Sequence, residues 1–444
     1  MIAATLLALV VINGVAISSG RASSHPSTRS GSSRAQSRDQ QPAATLRQAQ
    51  GGPERSRGSS SQIAALERAV SANPSDIKSR QRLADAYIEA GRPLDAVAEL
   101  RAAATTAPRI PGVWFALGQA YNAVKQDALT SFGPSDTPWR ALLSADALLQ
   151  NGHLVDAFTL YRAALDQLPA MVTIHDSVAI IYERSGHAGW APIERAKGRL
   201  DPSACGARKA LCEFRLRRFQ SSLEAALAGS DAESRYWRAR AANELALAAF
   251  KQLDPLPDSP ERRTVRATRA QAEERYTDAV AELEAATRLA PTQPELVFQL
   301  ASAYYSAQDF DKAIVTLSPL LKSYPSDTRL LNLQGQSLLQ LQRPEEAVAF
   351  FEQLLTRTPR DPRVRLVLGR AYFQGGYYGE AVPLLEEQLP HDSDGSFHLQ
   401  LARAYTSLGQ RDKAAPLLTK SQELQKADEE RRVALARRVI TAPK

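Results

Sequence analysis

Apolar residues recur at helical spacing through most of the chain, and small residues hold fixed places among them. Leu300, Ala301 and Tyr304 share one helical face; the polar stretch "AQDFD" interrupts the pattern; Ala313, Leu317 and Leu320 then begin a second face. Alanine at these points suits close approach of two backbones, with the larger side chains filling the space beside it. The same alanine returns every 34 residues at Ala279, Ala313, Ala347 and Ala381, and proline keeps that interval at Pro291, Pro325 and Pro359. A fixed period of this length predicts an array of stacked units, each two amphipathic helices joined by a polar turn. Pro294 and Pro362 stand where a new first helix begins, a position that has no use for an amide hydrogen.

These residues resemble the tetratricopeptide repeat, whose pattern runs W-x2-L-G-x2-Y, then Ala, then a bulky apolar residue, then Pro. Its first half is filled by Trp114, Leu117, Gly118 and Tyr121 in "WFALGQAY". Other units match through Leu83, Ala84, Tyr87, Ala96, Leu100 and Pro108; Ala145, Ala157, Tyr161 and Pro169; Val178, Ala179 and Tyr182; Gly335, Ala347, Phe351 and Pro359; Leu368, Gly369, Tyr372 and Ala381; and Leu401, Ala402, Tyr405 and Ala414. The resemblance implies an all-α solenoid of tandem helix-turn-helix hairpins over most of residues 61–428.

The pattern weakens in the middle. Between Pro202 and Pro260, "CEFRLRRFQSSLEAALAG" is a short, poor pair, and "ESRYWRARAANELALAAFKQL" is one long helical pattern with no internal turn. The unit after Trp114 is cut short, with "SFGPSDTP" where its second helix belongs. We therefore expect two stacks joined by an irregular segment, a degenerate solenoid over 61–259 and a regular one over 260–428, followed by a basic helical tail over 429–444.

The N-terminal region has a different character. An apolar run from Ile2 to Ile17 precedes small residues, which is the composition of a signal peptide or membrane anchor over 1–22, with a tether through residues 2–19. No basic residue precedes the run and arginines follow it, features that weaken export, and a misassigned start codon would make the chain cytoplasmic. Exported, periplasmic or extracellular, is the expectation. Residues 23–60 are rich in Ser, Arg, Gln and Gly and lack the apolar surface to offset ordering, so a disordered linker is expected there.

Charge removes one class of partner. The net charge is +7 over 444 residues, but residues 1–60 carry seven arginines against two acids, and residues 411–444 carry nine basic against five acidic side chains. The remainder, 7 − 5 − 4, is −2, so the repeat region has no basic field for nucleic acid.

Candidate chemistry is sparse. Cys205 and Cys212 are the only cysteines, and on one continuous helix their Cα atoms would stand about 10.5 Å apart, too far for a bridge. Pro202 and Gly206 suggest a helix that starts between them and lets Cys205 fold back, so a disulfide and a plain core Cys212 both stay open. "HDSDGSFH" gathers His391, Asp392, Asp394 and His398, the nearest approach to a metal cluster, but Ser393 or Asp394 as a cap for the following helix is the better explanation. His175 occupies a place where the repeat usually has a bulky ring. Neither H-E-x-x-H nor G-x-x-x-x-G-K-[ST] occurs, and no cofactor or enzymatic activity is expected.

Function then falls to a surface. In the resembling family, first helices line a concave groove that holds a peptide or a partner's helix. The positions beside the packing stripe are Phe298, Ser302 and Tyr305; Asn332, Gln336 and Leu339; Leu366, Arg370 and Phe373; and Leu399, Arg403 and Thr406. Aromatics, amides and two arginines suit an extended peptide with an acidic group. The Lys/Asn clamp of chaperone-binding relatives is missing, since Gln81 and Asp85 stand at the comparable places. The expectation is a scaffold for protein partners; an accessory subunit docking an enzyme of a cell-envelope or polysaccharide-handling complex is the other reading.

Overall fold

The structure, a computed structural model, describes residues 53–169, 171–199, 205–436 and 438–443. The expected signal or anchor over 1–22 and nearly all of the linker lie outside the described residues. The helix α1 (Pro53–Ala72) begins inside the stretch expected as linker. No described helix is long and apolar enough to cross a membrane.

Twenty-one α-helices make up the regular structure, with no strand among the described residues. After α1 come the hairpin of α2 (Ile77–Glu89) and α3 (Pro93–Thr106), and then α4 (Pro111–Thr130). Three hairpins follow, the last two with shortened helices: α5 (Thr137–Gln150) with α6 (Leu154–Gln167), α7 (Thr173–Arg184) with α8 (Ala191–Lys197), and α9 (Lys209–Arg215) with α10 (Phe219–Leu227). The long α11 (Ala232–Lys251) leads to α12 (Pro260–Ala272) and α13 (Tyr276–Leu289). The regular hairpins are α14 (Pro294–Ser306) with α15 (Phe310–Ser323), α16 (Thr328–Gln340) with α17 (Pro344–Arg357), and α18 (Pro362–Gln374) with α19 (Tyr378–Glu386). The last pair is α20 (Ser396–Ser407) with α21 (Arg411–Ala436).

Local chemistry sets the helix ends. Proline opens α14 and α18 as the sequence predicts, and Asp76, Asp309, Asp327 and Asp361 cap first turns by accepting from backbone amides two or three residues on. Every contiguous hairpin turns through one residue in the left-handed region. It is glycine at Gly91, Gly152, Gly186, Gly376 and Gly409, but Arg217, Glu274, Gln308 and Gln342 occupy the same place at φ of 56° to 63°. That turn satisfies the carbonyls at the end of the first helix, so the geometry recurs even where glycine does not.

The middle of the chain departs from expectation. Instead of belonging to an irregular joint, α11 packs along α4, the most extensive helix–helix contact among the described residues. The pairing is that of a repeat unit. A Cβ added to Gly118 of α4 would lie 2.3 Å from the Phe250 ring of α11, just as one added to Gly335 of α16 would lie 2.7 Å from the Phe351 ring of α17. Phe250 follows Gly118 by 132 positions where Phe351 follows Gly335 by 16, an excess of 116. The truncated unit at Trp114 therefore has its second helix, displaced by an insertion.

The insertion, α5 to α10, forms an arm with its own core. The C-terminal half of α11, through Ala241, Ala249 and Phe250, belongs to the apolar cluster of α1–α4. Its N-terminal half, through Tyr236, Trp237 and Ala239, joins Ala128 of α4 in the arm's cluster around Leu142, Tyr161, Ile174 and Tyr182. Between these cores Lys125 of α4, nearly inaccessible, donates to Asn243 Oδ1 of α11 at 3.3 Å. At the arm's base, buried Asp146 accepts from Tyr161 at 2.6 Å and Tyr236 at 3.0 Å and pairs with Arg240 at 3.2 Å, tying α5 and α6 to α11. Val265 of α12 packs on the α1–α4 cluster, so stacking continues through the boundary expected at 259/260.

Successive units are also tied by a repeated hydrogen bond. The motif tyrosine of a first helix donates to a glutamate on the preceding helix: Tyr87 to Glu67 at 2.7 Å, Tyr304 to Glu284 at 2.6 Å, Tyr372 to Glu352 at 2.6 Å, and Tyr405 to Glu386. Burial and the neighbouring carboxylate push the Tyr87, Tyr304 and Tyr372 phenols up to about 12, and for Tyr405 the Glu386 hydrogen bond leads, with the same result.

The expected basic helical tail ends its helix at Ala436. Residues 438–443 are not helical, and Ile440 packs on the arm's apolar cluster.

Candidate functional site

The candidate surface is the stripe of first helices α14, α16, α18 and α20. On each, residues packed into the stack alternate with half-buried ones beside them. Leu300, Ala301 and Tyr304 are buried, whereas Phe298, Ser302 and Tyr305 keep partial exposure. The same division leaves Asn332, Gln336 and Leu339, then Leu366, Arg370 and Phe373, half-buried, and Arg403 exposed on the last first helix.

Groups on α16 and α18 act on Tyr305 of α14. Burial raises the Tyr305 phenol above its ordinary range, against a hydrogen bond with Gln340 of α16 and the positive charge of Arg370 of α18. Gln336 Nε2 donates to Asn332 Oδ1 at 3.1 Å, which holds two amides in a row along α16. Arg329, also on α16, lies 4.8 Å over the Phe298 ring and pairs with Glu295 of α14 at 3.1 Å. Tyr305 and Phe373 each meet a ring at the start of their hairpin's second helix, Phe310 at 5.4 Å and Tyr378 at 5.8 Å.

Arg370 and Arg403 form no ion pair among the described residues, unlike neighbouring Arg365, which pairs with Glu387. A surface of half-buried aromatics, amides able to meet a peptide backbone, and two guanidinium groups without carboxylates is chemically equipped for a chain carrying an acidic side chain. Sequence reasoning missed Arg329 and Gln340. They belong to α16 but serve the α14 surface, so spacing within one helix does not point to them.

The other sequence candidates resolve into structural roles. Cys205 and Cys212 are disulfide-bonded with Cα atoms 5.7 Å apart, since α9 starts only at Lys209 and leaves Cys205 free to fold back. Asp392 accepts from the Gly395 and His398 amides at 2.9 Å and contacts His398 Nδ1 at 2.6 Å, while Asp394 accepts from the Ser396 amide. This acidic pair is a cap for α20. His175 Nδ1 meets buried Glu194 at 2.5 Å; burial raises that carboxyl, but His175 and Lys197 outweigh it and hold it below its ordinary value. Among the described residues no three His, Cys, Asp or Glu side chains are placed to hold a metal ion.

Three family models, each described as a tetratricopeptide repeat, match the chain: one at residues 270–336, one at 82–128 and 332–397, and one at 398–431. The matches stop near the end of α4 and resume in α12, bracketing the inserted arm. No curated protein matches. Among solved structures, MamA MSR-1 is 24% identical over 37% of this chain and 95% of its own, with a TM-score of 0.34. MamA from Desulfovibrio magneticus RS-1 is 20% identical over 38% of this chain and 97% of its own, with a TM-score of 0.36.

Proposed function

We propose that this chain, a tetratricopeptide repeat protein, is a non-enzymatic scaffold that assembles other proteins by holding a peptide or helix of theirs against the first helices of its C-terminal repeats. One observation supports the reading: the half-buried Phe298, Tyr305, Asn332, Gln336 and Phe373 line successive first helices beside Arg370, which forms no ion pair among the described residues. The half-buried rings supply apolar area, the amides of Asn332 and Gln336 meet backbone groups, and Arg370 and Arg403 select an acidic side chain.

The test is crosslinking capture by the wild-type chain beside the double variant Arg370→Glu, Arg403→Glu. Both substitutions lie outside the packed core, so melting stays within about 0.5 kcal/mol of wild type. Captured partners are expected to be lost from the variant, with the loss strongest at low salt. An identical set and yield from both chains would remove this stripe as the binding face.

A further inference from the structure

The two motif tyrosines that lack an upstream glutamate point to a second binding site. In the four tethered units the acceptor stands 19 or 20 positions before the tyrosine; the residues 20 positions before Tyr121 and Tyr182 are Arg101 and Arg162. An arginine offers no acceptor. Both hydroxyls turn to segments remote in sequence. Tyr121 donates to Gln220 Oε1 in the arm at 3.3 Å, and Tyr182 donates to the Thr441 carbonyl at 2.8 Å.

The surroundings of Tyr182 are those of a peptide site. Its ring is buried, edge-on to Trp190 at 5.4 Å and tilted against Phe158 at 5.8 Å, and Arg162 lies over Phe158 with its charge directed to Glu194 at 3.8 Å. Across this floor residues 438–443 run without helical structure. Val439 is 66% exposed, Ile440 is half-buried on the arm's cluster, and the Thr441 carbonyl accepts the Tyr182 hydroxyl's hydrogen bond. One aliphatic side chain is seated, the preceding one faces solvent, and one backbone carbonyl is bonded, the arrangement of an extended peptide recognised by a shallow pocket.

We propose that the arm carries a peptide-binding site, centred on Tyr182 and taking an extended segment with an aliphatic residue followed by a free backbone carbonyl, and that this chain's own residues 438–443 occupy it in cis. The tail thereby fastens the last hairpin of the array to the inserted arm. The site lies on α7, away from the α14–α20 stripe, and stands independently of the scaffold reading.

The experiment uses the full chain and a fluorescein-labelled synthetic peptide of residues 436–444. Ile440→Asp places a charge on the seated side chain of a surface tail, so the site empties while the fold persists. The peptide is expected to bind the Ile440→Asp chain at least 10-fold more tightly than wild type, whose site is filled. Adding Tyr182→Phe to that chain weakens binding about 3- to 10-fold through loss of one hydrogen bond. A peptide carrying the Asp substitution should not bind. Absence of binding to the emptied chain, or equal binding to both chains, overturns the proposal. So does a wild-type dimer that Ile440→Asp converts to monomer, because the tail would then occupy a neighbour's arm.

Discussion

At the scale of single residues, the helix crossings depend on side chains that are missing. Gly118 and Gly335 face Phe250 and Phe351 so closely that even one methyl group displaces an aromatic ring. Gly118→Ala and Gly335→Leu are each expected to cost about 1–3 kcal/mol, the leucine at the upper end, measured by denaturant unfolding. A Gly118→Ala chain as stable as its parent would mean that α4 and α11 do not pack as a repeat. Gly335 and Phe351 were legible as a pair because 16 positions separate them. Gly118 was legible alone, its partner lying beyond any local window. The left-handed turn residues divide in the same way. Five are glycines, which enter the left-handed region without steric cost, whereas Arg217, Glu274, Gln308 and Gln342 carry no local sign of the conformation that stacking imposes on them.

Between elements, the tyrosine–glutamate bonds make cohesion of the array sensitive to alkali. The four phenols ionise near 12 in the folded chain and near 10 when unfolded, so the folded state holds their protons more tightly. Their contribution is complete below pH 10 and is lost as pH rises through 12. Thermal melts from pH 8 to 12 should fall more steeply for wild type than for a chain carrying Tyr→Phe at residues 87, 304, 372 and 405. Parallel curves would show that these bonds do not couple neighbouring hairpins. The tyrosines themselves could be read from the repeat pattern. Their acceptors could not, because a glutamate on a solvated helix face looks the same whether or not a phenol reaches it.

At the scale of the whole molecule, the array is one stack with a side arm rather than two stacks with a joint. The regular hairpins, their boundaries at Pro294 and Pro362 and the all-α class were all visible in the 34-residue period. The arm was not, because periodicity records neighbours in sequence and α4 and α11 are neighbours only in space. Removing residues 127–242, the 116-position excess, and placing Lys125→Gly at the left-handed turn position should give a contiguous repeat. That shortened chain is expected to retain helical circular dichroism and a cooperative melt. A molten or aggregated product would show that the arm is needed to hold α4 against α11.

The split unit also sets an order of events during synthesis. A ribosome adding about 5–20 residues per second leaves α4 without its mate for roughly 5–20 seconds while the intervening chain emerges. Throughout that interval the nascent polypeptide presents the apolar groove around Gly118 to its surroundings, a surface that the next helix in line does not cover.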